Sequence, residues 1–273
     1  MPGTVLTCSV RLRLSSRMGE TREIIITGIG SDIKCDFYDP IIIPSETYDA
    51  KLGLKSFTTY NNIPNIESGK NSQIRIKVPD NPYSTFSLET GAYELTKINE
   101  QIVGWIKRTY PKLRKVEEKF KLVGNGATSK AEFQITGNYC VDFDVLGSMA
   151  DVLGFDRYRK IAGSGRYVAD EIINIVTVKQ LVFNCNLISS NYVNGRESPF
   201  IYNCGINVPV GYRLSREVSD ISYKTLTSTQ ISHIRVWIVD QSGRAVNLRD
   251  DDLTVTLSLR LFPKSSRVTL VKK

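Results

Sequence analysis

The feature that most constrains the fold is a two-residue alternation of apolar and polar side chains, which recurs along most of the chain. From Cys8 to Leu14, an apolar residue stands at every second position, and Arg11 and Arg13 lie between them. Successive side chains of a strand point to opposite faces, so this pattern indicates half-buried β-strands. Short strands separated by Gly, Pro, Asn and Ser predict an all-β sandwich or barrel. Further strands are expected at 22–29, 51–60, 73–78, 84–88, 131–136, 139–145, 172–188, 199–208, 231–239 and 253–262.

Few segments have helical spacing. Between Tyr93 and Arg108, five apolar residues from Leu95 to Ile106 fall on one stripe, and Pro111 follows. This pattern predicts a helix over 93–108. A shorter helix is expected over 148–153, where Ser148 is the candidate N-cap and Gly154 the stop. Residues 107–121 contain seven Lys and Arg, and we interpret them as a mobile basic connection.

Length and composition favour one folded domain without a membrane span. The 273 residues are 41% hydrophobic and 23% charged, which is ordinary for a globular protein. No run of about 18 apolar residues occurs. Neither a repeat nor a linker is evident, so a single domain over 1–273 is expected.

Charge and cysteine content indicate the type of environment. A net charge of +8 favours an anionic neighbour such as nucleic acid, and an ordinary basic soluble protein is the equal alternative. The five cysteines are odd in number and contain no C-x-x-C pair, which predicts reduced thiols inside a cell rather than a zinc site. The first residues lack the pattern of a secretory signal, so no secretion by this route is expected.

Residues suited to catalysis are scarce. His233 is the only histidine, and no G-x-S-x-G motif supplies a nucleophile beside it. Asp240 and the acidic run Asp250 to Asp252 do not have the spacing of a calcium loop. We therefore expect no catalytic residue, no metal and no cofactor, and an enzyme is the weaker hypothesis. Two structural turns are predicted instead, one at Asp240–Gly243 and one at Asn194–Gly195.

Basic residues cluster near both ends of the chain. They could contact nucleic-acid phosphates without reading sequence, and solubilising tails are the equal alternative. The candidate contact residues are Arg11, Arg13, Arg17, Lys264, Arg267, Lys272 and Lys273.

Several ordered segments resemble the capsid proteins of Polinton (Maverick) elements and adintoviruses. The most extensive runs from Ile231 through the turn Asp240-Gln241-Ser242-Gly243-Arg244 to the alternating strand that begins at Leu253. The other segments are Phe57 to Ile66, Gly91-Ala92-Tyr93-Glu94-Leu95, Leu153-Gly154-Phe155, Val193-Asn194-Gly195 and Val208 to Tyr212. They occur in the family's order and together cover most of 54–262.

This resemblance implies a structural capsid protein with a single jelly-roll β-sandwich, extra strands and one or two short helices. It implies the minor capsid, or penton, subunit: a homopentamer at the fivefold vertices of an icosahedral dsDNA capsid. The partner would be a double jelly-roll major capsid protein, the basic residues near the chain ends could contact packaged DNA or neighbouring capsomers, and the location would be the virion. The expected layout is an N-terminal strand or arm over 1–21, a core over 22–262 and a basic tail over 263–273.

Two alternatives remain open. A major, hexon-type capsid subunit would be a trimer and would need more strands than the dozen counted here. A carbohydrate- or receptor-binding sandwich would need a concave aromatic site, to which Tyr192, Tyr202 and Tyr212 could contribute. A jelly-roll enzyme of the cupin type lacks its histidine ligands in this sequence.

Overall fold

The chain forms two compact units. This computed structural model describes residues 8–13, 20–189, 191–193 and 195–264, with the backbone alone for 8–13. Unit 1 comprises 1–62 and 178–273, and unit 2 is the intervening segment 63–177. Whether the two units unfold as the single domain expected from the sequence stays a prediction, because units that are compact in space can still unfold together.

Strands dominate both units. Unit 1 begins with β1 (Cys8–Arg13), β2 (Glu20–Ile29), β3 (Asp32–Ile42) and β4 (Tyr48–Tyr60). Unit 2 contains β5 (Gln73–Lys77), β6 (Tyr83–Ser87), α1 (Leu95–Thr109), α2 (Val116–Lys119), β7 (Phe120–Asn125), β8 (Lys130–Ile135), β9 (Cys140–Asp142), α3 (Ala150–Leu153), β10 (Lys160–Ala162) and β11 (Gly165–Val168). Unit 1 then resumes with β12 (Gln180–Cys185), β13 (Asn191–Val193), β14 (Arg196–Ser198), β15 (Phe200–Gly205), β16 (Arg213–Glu217), β17 (Lys224–Thr225), β18 (Gln230–Val239) and β19 (Asp252–Pro263).

The strand order of unit 1 is that of a jelly roll. One sheet has the order β1-β2-β19-β4-β16, with β17 also paired to β4, and the other has the order β3-β18-β12-β15. If β1 and the short β13, β14 and β17 are left out, eight strands of unit 1 remain, which can be numbered one to eight in chain order. In this numbering the first sheet has the strand order one-eight-three-six, and the second sheet has the order two-seven-four-five. Eight strands in two sheets connected in this way form a jelly roll. The expected all-β, single jelly-roll fold is therefore confirmed, and unit 2 is inserted between its third and fourth strands.

Alternating side chains from the two sheets of unit 1 meet in one core. Ile24 and Ile26 of β2 are fully buried, and Ile25 between them is only partly buried, as the two-residue period predicts. Phe57 of β4 contacts Phe183 of β12 across the two sheets, with ring centroids 4.5 Å apart. Inter-sheet packing of this kind stabilises a sandwich because both inner faces leave water together.

Unit 2 has a hydrophobic core of its own. It contains a four-stranded sheet, β10-β9-β5-β6, and a three-stranded sheet, β11-β8-β7. Helix α1 buries Ile98, Ile102 and Ile106, which are spaced at one turn along one face. The buried residues of this core all lie between Ile66 and Ala169, so the inserted segment supplies both sides of its own interior.

Both predicted helices are confirmed, with shifted bounds. The helix expected over 93–108 extends from Leu95 to Thr109. Helix α3 covers Ala150–Leu153, and Gly154 ends it in the left-handed conformation at φ +78°. The predicted N-cap is wrong by one residue: Met149 occupies that position, and the Ser148 hydroxyl before it accepts the backbone N–H of Ala150 at 3.2 Å. Among the described residues, no helix is both long and apolar enough to cross a membrane.

The interpretation of 107–121 as a mobile basic connection is wrong. This segment contains α2 and the start of β7, and both Val116 and Phe120 are fully buried. The segment packs because exposed and buried side chains alternate along it. Lys119 and Lys121 face solvent, while Phe120 and Leu122 enter the core of unit 2. Charge on one face of an element does not prevent the other face from packing.

Most predicted strands are present, with two notable differences. The strand expected over 172–188 is confined to Gln180–Cys185, and Ile172 and Val176 before it are exposed. Strand β3 was not expected, since its sequence contains Asp36, Asp39 and Pro40. The register explains how they fit: Asp36 pairs with His233 and Ile41 with Ile231, so residues 37–40 bulge opposite a single residue of β18.

Candidate functional site

The single histidine is hydrogen-bonded to a neighbouring side chain of unit 1. His233 lies on β18 and is exposed, and its Nε2 is hydrogen-bonded to Nδ2 of Asn186 at 3.0 Å. Asn186 also uses Oδ1 to accept the backbone N–H of Arg235 at 2.8 Å. No group of three His, Cys, Asp or Glu side chains is placed to hold a metal ion within the described ranges.

Asp240 organises a tight turn after β18. Its Oδ1 accepts the backbone N–H groups of Ser242 and Arg244 at 2.8 and 2.9 Å, and its Oδ2 accepts Nε of Arg244 at 2.8 Å. Gly243, at φ +81°, donates its N–H to the Asp240 carbonyl at 3.0 Å. Burial acts to raise the pKa of Asp240, but these N–H groups and the guanidinium outweigh it and hold that pKa below its usual value.

The same turn anchors the chain where it returns from unit 2. Oε1 of Gln241 accepts the backbone N–H groups of Lys179 and Gln180 at 3.0 and 3.4 Å. Where the chain leaves unit 1, Nδ2 of Asn62 donates to the carboxylate of Asp251. The acidic segment considered for calcium is therefore hydrogen-bonded to unit 1 at both places where the inserted segment begins and ends.

The second predicted turn and most of the basic candidates fall partly or wholly outside the described residues. Gly195 has φ +77° beside the short hairpin of β13 and β14, and Asn194 lies outside the described residues. Arg17, Arg267, Lys272 and Lys273 also lie outside them. For Arg11 and Arg13 the structure gives only the backbone pairing of β1 with Glu23 and Thr21 of β2.

Lys264, the remaining basic candidate, is engaged within unit 1. Its Nζ donates to the carbonyl of Ser45 at 2.6 Å and lies 3.6 Å from Oδ1 of Asp49. It lines a groove of about 430 Å³ together with Ile43, Lys51 and Leu226. A depression of about 690 Å³ in unit 2 is lined by Lys77, Asp80, Asn138 and Cys140, among others. One carboxylate lines each groove, so neither offers the carboxylate pair of a glycosidase.

The two most buried carboxylates of unit 2 are occupied by arginines. Glu132 accepts Nε and Nη2 of Arg166, both at 2.6 Å, and Nδ2 of Asn125 at 2.8 Å. The Arg166 guanidinium, with help from Asn125, holds the pKa of Glu132 below its usual range. Asp142 is paired with Arg75 through Nη2 of the guanidinium. A carboxylate held ionised by a fixed partner is a poor proton donor, which favours a structural role for Glu132.

The three tyrosines of the lectin alternative have different environments. Tyr202 packs into the sandwich against Phe57 and Phe183, at centroid distances of 6.4 and 6.1 Å. Tyr192 and Tyr212 are 71% and 64% exposed, and neither makes a ring contact with another described aromatic residue. The Tyr202 ring therefore serves the core rather than a surface platform for sugars.

One lateral side of unit 1 presents an acidic, aromatic edge. Strand β3 pairs only with β18, so its other side is open among the described residues. In its bulge Tyr38 is 99% exposed, and Ile42 beyond it is 70% exposed. Asp36 and Asp39 are exposed and make no ion pair with a described residue. We name Asp36, Tyr38, Asp39 and Ile42 the acidic edge.

The opposite lateral side presents a basic, aromatic edge, which we define as Tyr212, Arg213 and Arg216. Arg213 is exposed at the start of β16. Arg216 is half-buried beside Cys204 of β15, its Nε has no hydrogen-bond partner, and no described carboxylate pairs with it. Neither edge could be predicted from the sequence, because both follow from strand order. The signal that could have indicated edge strands is the group of charged residues on each outer strand, because edge strands often carry such residues.

The strand order defines unit 1 as a jelly-roll sandwich, and its outer strands β3 and β16 carry exposed charged and aromatic side chains. Neither a family model nor a curated protein matches the sequence. Among solved structures, the crystal structure of the selenomethionine-labelled mavirus penton protein is similar, with 13% identity, 88% of this chain and 99% of that chain covered, and a TM-score of 0.44. Values this low give no basis for transferring that protein's role.

Proposed function

We propose that this protein is a structural capsid subunit, the penton or minor capsid protein of an icosahedral dsDNA virus or virus-like element. The observation that carries the proposal is the jelly-roll strand order of unit 1, found in a chain whose ordered motifs resemble Polinton and adintovirus capsid proteins. Jelly rolls serve mainly as capsid proteins, lectins and cupins. A single histidine argues against a cupin, and the packed ring of Tyr202 argues against a lectin platform.

The number of jelly rolls favours the penton over the hexon-type subunit. Unit 1 accounts for one set of eight strands, and the sheets of unit 2 have four and three strands in a different order. A second jelly roll is therefore missing from the described residues. Copies of a single-roll subunit arranged about a fivefold axis would make head-to-tail contacts that close into a ring.

Solution mass tests the proposal directly. Five copies of the 30.7 kDa chain would weigh about 150 kDa, and light scattering at low and high salt separates this mass from a trimer near 90 kDa. Electron microscopy of the same fractions should show fivefold rings. A trimer would favour the hexon-type subunit instead. A monomer that binds immobilised glycans would favour the lectin class.

A further inference from the structure

Two unsatisfied surfaces lie on opposite sides of unit 1. The sheet β3-β18-β12-β15 has β3 at one end and β15 at the other, and β16 ends the second sheet on the β15 side. The acidic edge therefore lies at one lateral side of the sandwich and the basic edge at the other. A subunit with different complementary surfaces on opposite sides can associate head to tail.

The named charges of the two edges have opposite signs, and none of them forms an ion pair with a described residue. Elsewhere on β3, Asp32 is neutralised by Arg235, whose Nε and Nη2 lie 2.9 and 2.6 Å from its carboxylate. Asp36 and Asp39 have no such partner among the described residues. On the other side, Arg216 is half-buried, and none of the described carboxylates pairs with it. An arginine held in this way loses hydration without an ion pair, which a carboxylate from outside would supply.

The shape of the acidic edge also fits a protein partner. The bulge at residues 37–40 projects Tyr38 almost entirely into solvent, and Ile42 adds an exposed aliphatic side chain. On the basic edge, Tyr212 is 64% exposed next to Arg213. Aromatic and arginine side chains of this kind are enriched at the centres of protein interfaces. An exposed edge strand additionally offers backbone groups for pairing.

We infer that the occupant of each edge is a second copy of this chain: the acidic edge of one copy docks against the basic edge of the next. Asp36 and Asp39 face Arg213 and Arg216 across the contact, and Tyr38 packs beside Tyr212. Repetition of this contact closes a ring. The inference rests on the proposed function, and it names the surfaces through which the subunits meet.

Charge reversal tests the contact. The double variants Asp36→Lys/Asp39→Lys and Arg213→Glu/Arg216→Glu each place like charges against the unchanged partner edge. Each should raise the dissociation constant of the assembly at least about tenfold at low salt. The quadruple variant that combines both reversals should restore assembly, since it exchanges the signs across the same contact. Glu89→Lys/Glu171→Lys, with the same change in net charge as the acidic pair at exposed positions of unit 2, is the matched control.

The outcomes separate this inference from the proposed function. If the wild type forms the 150 kDa species and either double variant forms it equally well, the contact is wrong and the capsid role stands. Failure of the quadruple variant to recover also overturns the contact, provided that its circular dichroism is native. If Arg216→Glu prevents folding, Tyr38→Ala, which touches no core residue, takes its place and should weaken assembly. A wild type that is monomeric at every concentration overturns both proposals.

Discussion

At the residue scale, Asp240 shows how one buried carboxylate can define a turn. Its side chain accepts two backbone N–H groups and one guanidinium N–H, all within 2.9 Å. Removal of the carboxylate leaves the N–H groups of Ser242 and Arg244 without partners in a closed turn. Asp240 is only 4% exposed and loses three hydrogen bonds at once, so the effect should exceed that of a surface aspartate.

We therefore expect Asp240→Ala to lower the free energy of unfolding by about 1–3 kcal/mol. Asp252→Ala, which removes an exposed carboxylate at the start of β19, is the matched control and should change it by less than about 0.5 kcal/mol. Urea denaturation followed by circular dichroism measures both. Equal effects of the two substitutions would contradict the role given to Asp240.

The lowered pKa of Asp240 also predicts a pH dependence. Because the folded-state pKa lies below the unfolded value of about 3.9, the folded state binds this proton less readily than the unfolded state. The stability contributed by the carboxylate is complete above the unfolded pKa and is lost as the pH falls through the folded pKa. The difference in unfolding free energy between the wild type and Asp240→Asn should therefore shrink on acidification below about pH 4. A difference independent of pH would contradict this account.

Buried thiols give a second prediction at this scale. Burial raises the pKa of Cys185 to about 12 and that of Cys204 to about 11, although the charge of Arg216 opposes the shift at Cys204. Since the thiolate is the nucleophile, alkylation of both at pH 8 should be slower by more than about a hundredfold in the native protein than in urea. Peptide mass spectrometry after timed labelling measures the ratio. Rapid native labelling of Cys185 would show that β12 opens readily.

At the element scale, some glycines lie where two backbone segments approach too closely to leave room for a Cβ atom. Gly154 ends α3 at φ +78°, and a Cβ there would lie 2.4 Å from the backbone carbonyl oxygen of Glu171. Gly163 has nearly the same φ, +79°, but a Cβ at this position would meet nothing within 4 Å. The two sites share the conformational cost of alanine and differ only in the close approach of the backbone.

We expect Gly163→Ala to destabilise unit 2 by about 1–2 kcal/mol, the cost of a left-handed alanine. Gly154→Ala should cost at least about 2 kcal/mol more, because the backbone of residues 171–172 must move. Thermal unfolding of the two variants side by side measures the difference. If the two melting temperatures agree, the contact between Gly154 and Glu171 does not limit the packing of α3.

Elements with one clear period could be predicted from the sequence, whereas those with mixed signals could not. Ile98, Ile102 and Ile106 repeat at one helical turn, and this places α1 to within two residues at each end. Strand β7 was missed although Phe120 and Leu122 alternate correctly, since the surrounding lysines were interpreted as a solvated connection. In β3 the bulge interrupts the alternation, so no local pattern reveals the strand.

The candidate site is less predictable still. Tyr38 and Arg216 gain their meaning from strand order, which brings β3 and β16 to opposite sides of one sandwich. Only pairing between residues far apart in the chain, such as His233 with Asp36, determines that order. A single sequence records which residues are apolar or charged but not which strand becomes an edge.

At the scale of the whole molecule, the separate core of unit 2 predicts local unfolding. Phe133 is fully buried in that core and contacts Phe120, Phe143 and Phe155. Phe133→Ala should cost about 3–5 kcal/mol. Amides of β7 and β8 should then exchange hydrogen faster, while those of β18 and β19 keep their protection. Faster exchange throughout the chain would instead support one cooperative domain over 1–273.

The insertion has a consequence for the order of events during synthesis. Strand β2 pairs with β19 at every position from Glu20 to Ile29, so its partner is made more than 200 residues later. A ribosome adding about 5–20 residues per second needs roughly 10–40 s to reach it. Unit 2 emerges complete within this interval, whereas β2, β3 and β4 wait with apolar faces exposed. The first three strands of the jelly roll are therefore the part of the nascent chain in greatest need of a chaperone.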